Sequence, residues 1–85
     1  MTAPPNGPWP HLNQRAVKRS VTIAGHRTSV TLEQPFWDAL HAAATKQNRS
    51  LSALIAQIDA ARSTNNLSSA LRLYVLHDLK TAAIP

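Results

Sequence analysis

The sequence predicts a mainly α chain fronted by a short β-ribbon, in the order β-α-α with a third, C-terminal helix. Three observations carry that prediction. Arg27 to Leu32 alternates polar and apolar residues at the period of a strand; Pro35 opens an amphipathic helix directly behind it; and two further stretches of helical spacing follow the capping residues Ser50 and Asn66.

Successive side chains of a strand point to opposite faces, so Thr28, Val30 and Leu32 turn toward a core while Arg27, Ser29 and Thr31 face outward together. A lone strand has two unpaired edges and marginal stability. Nothing downstream offers a second strand of equal quality, which makes a twin strand from a second copy the natural partner. Ser20 to Ile23 also alternates, with Val21 and Ile23 on one side, before Ala24-Gly25-His26 interrupts the run. Gly25 permits a bulge or a tight turn. Two arrangements stay open: a hairpin folding Val21 to Ile23 back on Val30 to Leu32, or one long ribbon kinked at Gly25.

Pro35 suits a first helical turn, where a backbone N–H lacks a partner anyway. From there Phe36, Leu40, Ala43, Ala44 and Gln47 fall on one side, with Trp37 beside them, giving a helix from about Gln34 to Gln47. Asn48 can adopt the left-handed conformation that ends helices. Behind the N-cap Ser50, Leu51, Leu54, Ile55 and Ile58 recur at i, i+3, i+4 and i+7, and this second helix ends near Ala61 or Arg62. Ser63-Thr64-Asn65-Asn66 is a polar break whose last residue can cap again, and Leu67 to Lys80 reads as the third helix. Its apolar residues, Leu71 and Val75 among them, cover more than one face, which in so small a protein implies a partner subunit.

Four of the six prolines lie in the first ten residues, so residues 1–17 are expected to be a disordered tail, residues 18–80 the folded domain and residues 81–85 a short C-terminal tail. Trp9, in that tail, could stack on a base or dock on the core, with a solvated position the default. The chain has no cysteine, which excludes disulfides and thiolate metal sites and fits a reducing, cytoplasmic setting. No apolar run approaches the roughly 20 residues that span a bilayer, and the first ten residues lack the apolar stretch of a signal peptide. A membrane partner is not expected.

The formal net charge is +5, and it is uneven, because Arg15, Lys18, Arg19 and Arg27 all precede the first acid, Glu33. A basic arm beside a strand is the electrostatic footprint of a protein that meets nucleic acid or another polyanion; a solubilising tail is the plainer alternative. Catalysis lacks the parts it needs. The four acids are scattered singly, and His11, His26, His41 and His77 show no ligand spacing. The only glycines, Gly7 and Gly25, build no phosphate loop. An enzyme is therefore not expected, and no cofactor or metal is. His41 and His77 read as surface or interface residues, and His26 as a turn residue within reach of a phosphate.

The string Thr22-Ile23-Ala24-Gly25-His26-Arg27-Thr28-Ser29-Val30-Thr31-Leu32-Glu33, followed by Phe36-Trp37-Asp38-Ala39-Leu40, resembles the ribbon-helix-helix family of bacterial DNA-binding proteins. The resemblance spans roughly residues 18 to 62, and Ser50-Leu51-Ser52-Ala53-Leu54-Ile55 together with Asn66-Leu67-Ser68-Ser69-Ala70-Leu71-Arg72 extend it to near the end of the chain. It implies an intertwined homodimer in which two strands pair antiparallel across the subunits and the ribbon enters the major groove of double-stranded DNA, a groove about 12 Å wide that admits such a ribbon.

By that resemblance Arg27, Ser29 and Thr31 contact bases, while Ser50, Leu51 and Ser52 at the start of the second helix grip a backbone phosphate. Independently of it, the free N–H groups and dipole of that helix start favour an anion, and Arg49 is adjacent. Lys18 and Arg19 add phosphate contacts from the arm, and His26 another from the strand end or turn. Val30, Leu32, Phe36, Leu40, Leu54, Ile55, Ile58, Leu71 and Val75 form the expected dimer core. The strand region is longer than the family minimum by Ser20 to His26, and the third helix is extra, which suggests added dimer packing or a higher oligomer. The function expected is a sequence-specific transcriptional regulator; an antitoxin of a toxin-antitoxin pair and an assembly module that does not bind DNA are the alternatives.

Overall fold

A computed structural model describes residue 12, residues 14–63 and residues 66–83. Trp9 and most of the proline-rich segment lie outside the described residues, as do the last two positions of the chain. The elements run β1 (Ala16–Ile23), β2 (His26–Glu33), α1 (Gln34–Lys46), α2 (Leu51–Ala61) and α3 (Leu67–Ala83). The domain thus starts two residues earlier and its last helix runs three residues further than residues 18–80. The early start has a cause: the Trp37 indole Nε1–H donates to the Val17 carbonyl at 3.0 Å, tying the start of β1 to α1.

Of the two arrangements open in the sequence, the hairpin is the one observed. β1 and β2 pair antiparallel within one chain, from Ile23 opposite His26 to Ala16 opposite Glu33. Only Ala24 and Gly25 connect them, with φ of 50° and 82°. Two positive φ values in a two-residue loop make a type I′ turn, whose twist matches that of the flanking strands. The pairing that an isolated strand needs is therefore supplied by the upstream segment of the same chain.

The helices pack on one face of this ribbon. α1 has Pro35 in its first turn, buries Trp37, Leu40, Ala43 and Ala44, and ends on Asn48 at φ 59°. There the Arg49 N–H reaches the Ala44 carbonyl at 2.9 Å and the Asn48 N–H the Thr45 carbonyl at 3.0 Å, the paired bonds of a Schellman motif. Ser50 caps α2 by accepting from the Ala53 N–H at 3.1 Å, and Asn66 caps α3 by accepting from the Ser69 N–H at 2.8 Å. Hydrophobic faces of all five elements meet in one cluster: Val21, Ile23, Val30 and Leu32 from the ribbon, the four α1 residues, Leu54, Ile55 and Ile58 from α2, and Leu71 and Val75 from α3.

Two expectations change here. Every residue assigned to a dimer core except Phe36 is buried within a single chain, and Phe36 is only partly buried. The reason is Trp37, fully enclosed at the centre of the cluster, which takes the place given to Phe36. One face of α3 is also covered by the protomer itself, because Leu71 and Val75 face the ribbon and α1 side. What stays outside is a second face, with Leu73, Leu76 and Leu79 at 53%, 49% and 58% exposure.

Candidate nucleic-acid interface

Residues directly opposite in an antiparallel pair place their side chains on the same face. The register therefore sorts the ribbon into two faces. Val17 with Leu32, Val21 with Thr28 and Ile23 with His26 face the helices, as does Arg19 opposite Val30. On the other face Lys18 stands opposite Thr31, Ser20 opposite Ser29 and Thr22 opposite Arg27, and all six are exposed. The alternation legible in Arg27 to Leu32 thus holds on both strands.

In a hairpin closed by a two-residue turn, the residues flanking the turn exchange both ladder hydrogen bonds, so bonded and non-bonded pairs alternate from there. The three outward pairs fall in the non-bonded class, where opposed side chains approach most closely. They stand about 7 Å apart along the ribbon, two residues per step. Each cation has a hydroxyl for its neighbour across the ribbon, and the two cations sit diagonally at opposite ends of the row.

The electrostatics of this face are cationic, with one acid at its end, where the register sets Glu33 opposite Ala16. Glu33 is the only acid in either strand, and Arg72 of α3 holds it in a two-pronged grip, Nε to Oε1 at 3.0 Å and Nη2 to Oε2 at 3.1 Å. A backbone hydrogen bond at Glu33 itself is the largest cause holding that carboxyl below its ordinary pKa, opposed by partial burial and reinforced by Arg72. Its charge is thereby paired with Arg72, in a part-exposed bridge whose two side chains are 36% and 31% exposed.

The remaining predicted contact residues divide. Arg19 does not join Lys18. It lies on the helix side, where its guanidinium sits 5.4 Å from the Trp37 ring centre and donates to Gln34 Oε1 at 3.2 Å. His26 is exposed at the turn end, beside a groove shared with Thr28, Asp59 and Leu67. Asp59 lies near the C-terminal end of α2, so the other end of that helix, with Arg49, Ser50 and Ser52 exposed, lies about 12 Å further along its axis. Leu51 is half-buried against the core rather than facing solvent. Ser20 and Thr22 share this exposed face without having been expected on it; their alternation with Val21 and Ile23 is visible in the sequence, and the turn that brings them beside Ser29 and Arg27 is not.

No helix among the described residues is long and apolar enough to cross a membrane. A family model described as "Ribbon-helix-helix domain" matches residues 16–79, the span from the first strand into the last helix. This chain belongs to the ribbon-helix-helix family. Ribbon-helix-helix proteins are generally DNA-binding regulators or antitoxins, and their domains generally bind DNA as dimers. The solved structure of an uncharacterized protein from Bordetella pertussis Tohama I is similar to this ribbon-helix-helix chain, with a TM-score of 0.64 and 30% identity over 79% of this chain and 58% of that one. The chain therefore spans less than two thirds of that protein's length. No curated protein matches.

Proposed function

We propose that this ribbon-helix-helix chain is a sequence-specific DNA-binding protein, a transcriptional regulator that places the outward face of its ribbon in the major groove and acts as a homodimer. The observation that carries this reading is the row Lys18/Thr31, Ser20/Ser29 and Thr22/Arg27, exposed on one face with the nearest carboxylate, Glu33, already engaged by Arg72. Arginine can bond guanine through two donors, and serine and threonine hydroxyls bond base edges with less selectivity. Nothing in this arrangement suits catalysis, so the chain is read as a binding protein and not an enzyme.

The exposed Leu73, Leu76 and Leu79 of α3 supply the surface for the second copy, since the residues first assigned to a dimer core are used up inside the protomer. The same helix favours a regulator over an antitoxin. A toxin-covering tail is disordered until bound, whereas α3 is a 17-residue helix seated on the core through Leu71 and Val75. Titration against a specific duplex at several salt concentrations tests the reading: about six neutralised phosphates give a log-log slope near −5, and binding should survive competitor DNA. Weak, sequence-blind binding would instead favour an assembly module.

A further inference from the structure

We propose that Trp9, in the proline-rich arm ahead of β1, docks in an apolar groove of its own protomer between α1 and α3. The proposal concerns a surface away from the ribbon's outward face and does not rest on the DNA-binding reading.

The groove is built from both helices. Pro35, Phe36 and Ala39 of α1 form one wall, Val75 and Leu79 of α3 the other, and Glu33 completes the lining around a space of about 330 Å³. An apolar cavity of about 150 Å³ already takes a benzene ring, so this one has room for an indole and part of a neighbouring proline. Its walls are left bare by the rest of the domain. Phe36 is only partly buried, and Leu79 is 58% exposed.

The point where the chain enters the fold names the occupant. β1 begins at Ala16, whose partner across the ribbon is Glu33, and the Trp37 indole holds the Val17 carbonyl against α1 at 3.0 Å. The arm therefore joins the domain about 5 Å from a residue that lines the groove. Trp9 stands seven residues before Ala16. At about 3.1 Å per residue in a proline-rich stretch those residues reach about 22 Å, whereas Ala39 lies only about 9 Å along α1 from Glu33. A tether this short holds Trp9 near the groove at a millimolar local concentration, far above that of a second copy in dilute solution.

The chemistry of the arm fits the site. Trp9 is the largest apolar side chain among the first fifteen residues, and a buried indole covers about 150 to 250 Å² while its N–H seeks an acceptor. Glu33 supplies one. Arg72 takes one contact on each of its carboxylate oxygens, and a carboxylate accepts at about four positions. Pro8 and Pro10 flank the tryptophan, and a residue before proline is biased to extended backbone, so Pro8-Trp9-Pro10 loses little freedom on docking. Seated there, Trp9 covers Phe36, the one expected core residue that the described domain leaves partly bare. Leu73 and Leu76, further round α3, stay available to a second copy.

The test is fluorine NMR of the full chain carrying fluorotryptophan at both of its tryptophans, with Trp9→Phe assigning the two signals. The Trp9 signal should lie away from its position in urea. Leu79→Lys, at a site 58% exposed and so harmless to the core, should return it to that position while the Trp37 signal stays in place. A Trp9 signal at its urea position in the wild-type chain, or one that Leu79→Lys leaves unmoved, overturns the proposal. Dilution separates the occupants, since a tethered arm holds its signal over about a hundred-fold dilution. A signal that drifts to its urea position on dilution gives the groove to a second copy and overturns the proposal.

Discussion

The Ser68 hydroxyl donates to the Thr31 carbonyl at 3.1 Å, joining the start of α3 to the outer edge of β2. An edge strand left bare is a template for another chain, and here a helix stands against it. Ser68→Ala should lower stability by about 0.5 to 1.5 kcal/mol, the net worth of one such bond, and urea unfolding of the variant beside wild type measures it. No loss at all would mean that water replaces the hydroxyl at no cost.

The turn holds a removable strain. Ala24 sits at φ 50°, a left-handed conformation that costs an L-residue with a β-carbon roughly 1 to 2 kcal/mol, whereas asparagine visits it readily. Ala24→Asn should therefore stabilise the hairpin by up to about 1 kcal/mol. Gly25→Ala should destabilise by a similar amount through backbone strain alone, because at φ 82° nothing lies within 4 Å of where its β-carbon would sit. Shifts of the urea midpoint in opposite directions are the expected outcome.

Stability should carry the signature of the Glu33 carboxyl. Its pKa is lowered in the folded chain, first by the backbone hydrogen bond at Glu33 and then by Arg72. A lowered folded value means that its contribution is full above the unfolded carboxylate value, about 4.3, and is lost as pH falls through the folded one. Arg72→Met should be less stable than wild type at pH 6, and the gap should narrow toward pH 3. Urea unfolding across that range checks it, and a gap constant with pH would contradict the pairing.

Much of this was legible in the residues. Pro35, Asn48, Ser50 and Asn66 mark helix ends because each has a chemical reason to be there, and the alternation of Arg27 to Leu32 gives the faces of β2 correctly. The hairpin was not decidable, because alanine at the first turn position is a poor signal for a left-handed residue and so hid a type I′ turn. Helical spacing sets Trp37 only beside the apolar side of its helix, and its size and indole N–H suit either a core or a surface; the Val17 carbonyl that satisfies that N–H comes from 20 residues earlier, beyond any local pattern. Arg19 looked like a partner of Lys18 because they are neighbours in sequence, yet neighbours in a strand face opposite ways.

The two cations of the outward face should behave differently. Arg27→Ala should cost about 1 to 3 kcal/mol of affinity for a preferred duplex and relax specificity at one step. Lys18→Ala should weaken binding to all duplexes alike and reduce the salt slope by about 1. Equal affinity of Arg27→Ala and wild type for the preferred site would remove the base-contact role of that arginine.

The central claim is that the outward face of the hairpin is the surface that meets DNA, and backbone amide shifts of the isotope-labelled full chain, followed while a preferred duplex is added, test it most directly. The account predicts that the largest changes fall on every second residue of both strands, Lys18, Ser20 and Thr22 with Arg27, Ser29 and Thr31. Changes confined to α3 or to the exposed face of α1, with these six amides unmoved at saturation, would contradict it.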